Sequence, residues 1–239
     1  MSLGDNALYL LISKFSEPPR EPPLDLVLSA IMECPRCVHY KIVHKHHSTP
    51  LHWAARLGFS SLVRVLLQNG ALANCEDDEG KTPLHYAAEG RGDPCTAAHL
   101  LCRGAHVDAV SATSDTPLHL AAMMGSSGIA AVLLMRGADP RKSCSDSFCP
   151  LHVAAFHGHG VVVALLCMYG ASVTDITSDS YTPVDLARFQ VHRPFSFLFL
   201  TCHLASLIPF VFFFRGTWMS SRQPCAMMAA KRALPSVRG

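Results

Sequence analysis

Apolar residues along this chain fall into paired short stretches separated by polar breaks. From Leu51 the chain reads LHWAARLG, and Leu51, Ala54 and Ala55 are spaced as on one face of a helix. A second stretch, SLVRVLLQNGA, carries Leu66 beside Leu67 and ends at Gly70. The couple then returns, with CTAAHLLCRGA, IAAVLLMRGAD and VVVALLCMYGA as the later second members. The first members are TPLHWAARLG from Thr49, TPLHYAAEGRG from Thr82, TPLHLAAMMG from Thr116, CPLHVAAFHG from Cys149 and TPVDLARFQV from Thr182, at intervals of 33, 34, 33 and 33 residues. Each unit therefore predicts two helices. Thr caps the first and Pro suits its first turn, where a missing N–H has no helical partner to lose. Gly58, Gly125 and Gly158 predict a tight turn, and Gly70, Gly104, Gly137 and Gly170 predict the end of the second helix. Polar stretches such as LANCEDDEGK lead to the next unit.

A helix pair of this size cannot bury its apolar face alone, so the units must stack. Four TPLH-type copies in register resemble the ankyrin repeat family, and the resemblance covers residues 49–188. It implies an all-α ankyrin-repeat solenoid of stacked helix-turn-helix units, with hairpin-like fingers projecting to one side. The expected organisation is an N-terminal segment and Pro-rich linker over 1–23 and a degenerate half-repeat or N-terminal cap over 24–48. Repeats follow at 49–81, 82–115, 116–148 and 149–181, with a fifth starting at 182 and an apolar, then basic, tail over 189–239. The extra residue in GRGDPCTAAHLL predicts a local bulge in the second unit and an unbroken stack.

The resemblance also implies a non-catalytic protein-protein interaction scaffold or adaptor, binding through its finger tips and concave helix face. The residues that vary between copies are the candidates there. They are Asp77, Asp78 and Glu79 in the first finger, Ser111, Thr113 and Asp115 in the second, Arg141, Lys142, Ser145 and Asp146 in the third, and Thr177, Asp179 and Tyr181 in the fourth. Trp53, Tyr86, Met123 and Met124 lie in or beside the first helices, and Trp and Tyr are common binding anchors. The acidic first finger favours a basic protein partner.

Charge divides the chain. Residues 186–239 hold seven Lys or Arg and no Asp or Glu, leaving 13 basic against 18 acidic groups before them. The body has no basic patch that would suggest nucleic acid. Ten cysteines without a dense framework, and no signal peptide at the start, favour a reducing compartment, the cytoplasm or the nucleus. The run from Phe195 to Phe214 is long enough for a membrane span, which makes a membrane-anchored adaptor the alternative. His203 and Pro209 weaken the run, and the basic residues after it oppose the positive-inside tendency. Repeat register offers another use for its first half. Phe199 and Leu200 fall at the paired large positions, so residues up to about 203 can complete the fifth repeat.

His52, His85, His119 and His152 recur at the repeat period. The resemblance gives this His the role of tying neighbouring turns together, and repeats about 10 Å apart cannot share a metal with bonds of about 2 Å. A zinc reading is sharper at CPRCVHYKIVHKHH, where Cys34 and Cys37 have ligand spacing and His44, His46 or His47 could close the site; a worn half-repeat explains the same residues without metal. No cofactor is expected, and no nucleophile elbow or phosphate loop is present. The fragment SSRQPCAMMAAKRALP has the Cys225 and Leu-Pro of a SOCS box but lacks the Leu four residues before the Cys, so a ubiquitin-ligase substrate adaptor is a weaker alternative.

Overall fold

The computed structural model describes residues 7–15, 21–42, 46–90 and 93–189. Two rows of helices dominate. The first-helix row comprises α3 (Pro50–Leu57), α5 (Pro83–Glu89), α7 (Pro117–Met124), α9 (Pro150–His157) and α11 (Pro183–Phe189). The second comprises α4 (Ser60–Gln68), α6 (Pro94–Cys102), α8 (Ser127–Met135) and α10 (Gly160–Met168). Each helix packs on its counterpart one repeat away: α3 on α5, α5 on α7, α7 on α9, α9 on α11, and α4, α6, α8 and α10 in series. Among the described residues no helix is long and apolar enough to cross a membrane. Residues 195–214 and the possible completion of the fifth repeat lie outside the described residues.

The core follows the sequence period. Leu51, Leu84, Leu118 and Leu151 are fully buried, as are Leu62, Leu66, Leu100, Leu133 and Leu166 in the second row. Each contributes about 2 kcal/mol by leaving water. Ala54, Ala87, Ala121 and Ala154 are equally buried and hold neighbouring first helices close, since a larger side chain there would wedge them apart.

The N-terminal segment covers one end. α1 (Ala7–Lys14) packs on α3, on α2 (Leu24–Glu33) and on a 3₁₀ turn over Pro35–His39. Leu8, Ile12, Val27, Ile31, Cys37 and Val38 join the common core. The Glu21 carboxylate accepts the Leu62 N–H at 2.9 Å, satisfying a donor at the start of α4 that no residue of its own helix reaches. At the other end Arg188 occupies the position of the buried Ala55 in the first repeat, and its side chain is exposed beside Asp185. Among the described residues α11 is the last helix of that row.

The 34-residue step leaves both rows continuous, because α5 packs on α7 and α6 on α8. Its effect falls on the turn. Gly58, Gly125 and Gly158 end their helices in the left-handed region, whereas Gly90 has φ −84°. Arg91 and Gly92 lie outside the described residues. Asp93 then starts α6, its carboxylate accepting from the Cys95 N–H at 3.1 Å and the Thr96 hydroxyl at 2.9 Å.

Candidate functional site

The four repeated histidines form one network. The Thr49 N–H donates to His52 Nδ1 at 3.0 Å, and the Thr49 hydroxyl lies 2.9 Å from the same nitrogen. With Nδ1 accepting, the proton resides on Nε2, which donates to Lys81 O at 3.1 Å. Each ring thus closes its own helix start and holds the finger that leads to the next repeat. His85 reaches Asp115 O and His119 reaches Phe148 O in the same way, each just before the next motif, while His152 reaches Asp175 O, earlier in the following finger. All four are at most 1 % exposed, and burial drives each pKa below the ordinary value, to about 4 for His52. In the fifth repeat Asp185 accepts from the Thr182 hydroxyl at 2.6 Å and its N–H at 3.1 Å. A carboxylate closes the helix start as the imidazole does, but donates nothing onward.

Cys149 replaces the capping threonine, and its Sγ lies 2.9 Å from His152 Nδ1. Burial pushes the thiol pKa up and the imidazole pKa down, so the pair is an S–H···N contact with no charge separation. Sulfur is the weaker donor. Cys149→Thr is therefore expected to raise stability by about 0.5–1 kcal/mol, read as a higher urea midpoint at unchanged slope. A lower midpoint would show that the larger sulfur fills space the hydroxyl cannot.

The fingers repeat one geometry. The N–H of Asp77, Ser111, Cys144 and Thr177 donates to the carbonyl four residues on, and Gly80, Ser114, Ser147 and Ser180 take φ of 68, 63, 60 and 64° to close the turn. Neighbouring fingers are joined as well. The Asp78 N–H donates to His46 O at 2.9 Å, Ala112 to Glu79 O at 2.8 Å and Ser178 to Asp146 O at 3.3 Å, and the Ser145 hydroxyl donates to Thr113 O at 3.1 Å.

These bonds sort the candidate residues. Asp77 is 8 % exposed; its carboxylate accepts from the Glu79 and Lys81 N–H groups and, at 2.7 Å, from the Tyr86 hydroxyl. Burial and that acceptor push the Tyr86 pKa well up. Asp78 lies 2.7 Å from His47 Nδ1, and Glu79 pairs with Lys81 at 3.0 Å. Ser111 and Thr177 are buried, the Ser111 hydroxyl accepting from the Asp115 N–H and Thr177 from the Tyr181 N–H. The Thr113 hydroxyl donates to the Asp115 carboxylate at 2.7 Å. Arg141 pairs with Asp175 at 3.4 Å and Lys142 donates to Asp108 O at 2.9 Å. Asp146, Asp179 and Tyr181 are exposed.

On the first-helix face, Trp53 and Tyr86 pack edge-on with centroids 6.5 Å apart, and the Trp53 indole N–H donates to Ser48 Oγ at 2.8 Å. Both aromatics serve the repeat interface. Met124 and Phe156 are the more exposed, at 48 % and 42 %. Phe156 was missed as a candidate; its one signal in the sequence is a large apolar residue where earlier repeats carry Arg56 and Glu89.

The zinc set does not converge among the described residues. The Cys37 thiol is buried 3.8 Å from Ala30 O, His47 faces Asp78, and His44 lies outside the described residues. No group of three metal-capable side chains gathers among those described. Cys225 and the rest of the SOCS-like fragment also lie outside them.

A family model for ankyrin repeats (3 copies) matches residues 25–111 and 88–177. Similar proteins include the Danio rerio protein named as a palmitoyltransferase, ZDHHC13, 43 % identical over 76 residues, which are 32 % of this chain and 12 % of that protein. The Caenorhabditis elegans homolog of transient receptor potential cation channel subfamily A member 1 is 32 % identical over 127 residues, 44 % of this chain and 10 % of that protein. Ankyrin repeat and SOCS box protein 16 of Mus musculus is 37 % identical over 89 residues, 34 % of this chain and 20 % of that protein. The chain thus spans a fifth or less of the length of these relatives. With the repeat period, the two helix rows and the histidine network all in agreement with the matching model, the chain belongs to the ankyrin repeat family.

Proposed function

We propose that this chain is a non-catalytic scaffold or adaptor that binds protein partners through its finger tips and first-helix face, in the cytoplasm or the nucleus. Ankyrin repeats are protein-protein interaction modules. The observation that carries the reading is the division between constant and varying residues. The Thr, Leu and His of the TPLH motifs are buried, whereas Asp146, Asp179, Tyr181, Met124 and Phe156, at positions not held constant across the repeats, are exposed on the fingers and first helices. Ten cysteines scattered without a dense framework support a reducing compartment.

Proximity labelling with the full chain tests this. Changing Thr113, Asp146, Asp179 and Tyr181 together to alanine is expected to remove the labelled partner set. Changing the exposed second-row residues Val161 and Met168 to serine is expected to leave it intact. The opposite pattern would move the binding surface to the outer helices.

A further inference from the structure

Resting on that reading, we infer that the partner segment is a basic peptide with at least one large apolar side chain, and that it seats on the third and fourth repeats. Composition pointed to the acidic first finger, but its carboxylates are already engaged. Asp77 is buried under Tyr86, Asp78 faces His47 and Glu79 holds Lys81. A basic partner arriving there would have to displace bonds the fold already makes.

The third and fourth fingers differ. Asp146 and Asp179 are exposed, and among the described residues neither carboxylate takes part in an ion pair. They lie on fingers locked together, with the Ser178 N–H and hydroxyl donating to Asp146 O at 3.3 and 3.2 Å. The nearby cations are committed elsewhere, Arg141 to Asp175 and Lys142 to Asp108 O. Two exposed carboxylates outside any described ion pair favour a cationic segment and repel an acidic one.

The adjoining helix face changes character at the same place. The position held by Arg56 and Glu89 in the first two repeats is held by Met123 and Phe156 in the next two. Phe156 and Met124 are 42 % and 48 % exposed, Tyr181 at the base of the fourth finger is 40 % exposed, and α7 packs directly on α9. Apolar anchors bounded by a charged rim are the usual make-up of a binding centre, with the anchors supplying affinity and the charges specificity.

The test uses the full chain and a displayed library of random 16-residue peptides, with selected peptides remade and measured by fluorescence anisotropy. The expected peptides combine Lys or Arg with Leu or Phe, and bind several-fold more weakly as salt rises from 50 to 300 mM. Phe156→Ser with Met124→Ser, and separately Asp146→Asn with Asp179→Asn, should each weaken binding at least tenfold. Phe156→Leu should restore most of the first loss, which separates an anchor from a folding defect. Asp78→Asn with Glu79→Gln should change binding less than twofold. Peptides that are acidic, or that respond only to the first finger, would overturn this inference and leave the wider reading standing. Peptides insensitive to every finger and first-helix change, or no peptides at all, would overturn both.

Discussion

Gly90→Ala is expected to lower stability by about 3 kcal/mol and the thermal midpoint by about 10 °C. A Cβ at this position would lie 2.0 Å from Arg56 O, a backbone atom at the end of the neighbouring first helix. No rotamer relieves that contact, so α3 and α5 must separate, and the separation exposes Ala54, Ala55, Ala87 and Ala88, all at most 1 % exposed. The close approach carries the requirement, since φ at Gly90 is −84° and not in the left-handed region. Gly104 is the control. It has φ +81° with nothing within 4 Å of an added Cβ, so Gly104→Ala carries only the left-handed penalty of about 1 kcal/mol. Paired thermal melts decide it. Equal shifts in the two variants would mean that the Gly90 turn can move outward without disturbing the helix row.

Gly90 also shows what the sequence made legible. Its place in the motif, and the extra residue just after it, are visible in the spacing; the 2.0 Å approach to Arg56 O is a tertiary fact with no local signature. The same boundary runs through the candidate surface. Fold-bearing residues such as Leu51 and His52 advertise themselves by recurring, because each repeat must solve the same packing problem. The proposed binding residues are those that do not recur, and nothing in a single varying position separates an exposed side chain from one used internally. Asp77 and Asp146 read alike as finger acids, yet one is the acceptor of a buried hydroxyl and the other faces solvent. Trp53 reads as an aromatic anchor and Phe156 does not, yet Trp53 packs between Tyr9 and Tyr86 while Phe156 is 42 % exposed. The three serines in the left-handed region were also silent in sequence, because the Gly80 that signals the turn in the first finger is absent from the other three.

Mild acid is expected to unfold this protein through its histidines. His52 titrates near 6.5 in an unfolded chain and at about 4 in the fold, and His85, His119 and His152 are lowered in the same direction by the same burial. Between the two values the unfolded state holds the extra proton, so stability falls as pH falls. The contribution is fully present above pH 6.5 and is lost progressively toward pH 4. For His52 alone the loss at pH 5 is about 2 kcal/mol, and about 3 kcal/mol by pH 4. The geometry explains why the fold cannot adapt. Protonating Nδ1 would aim an N–H at the Thr49 N–H that it now accepts, inside a site that is fully buried, while Nε2 is already committed to Lys81 O. Four such sites in series make the effect cumulative, with urea unfolding taking up more protons as pH falls from 6.5 to 5. Urea midpoints over that range, with NMR titration of the imidazole protons, measure both quantities. Midpoints that stay level, or that rise on acidification, would show that the four rings are not held neutral by the fold.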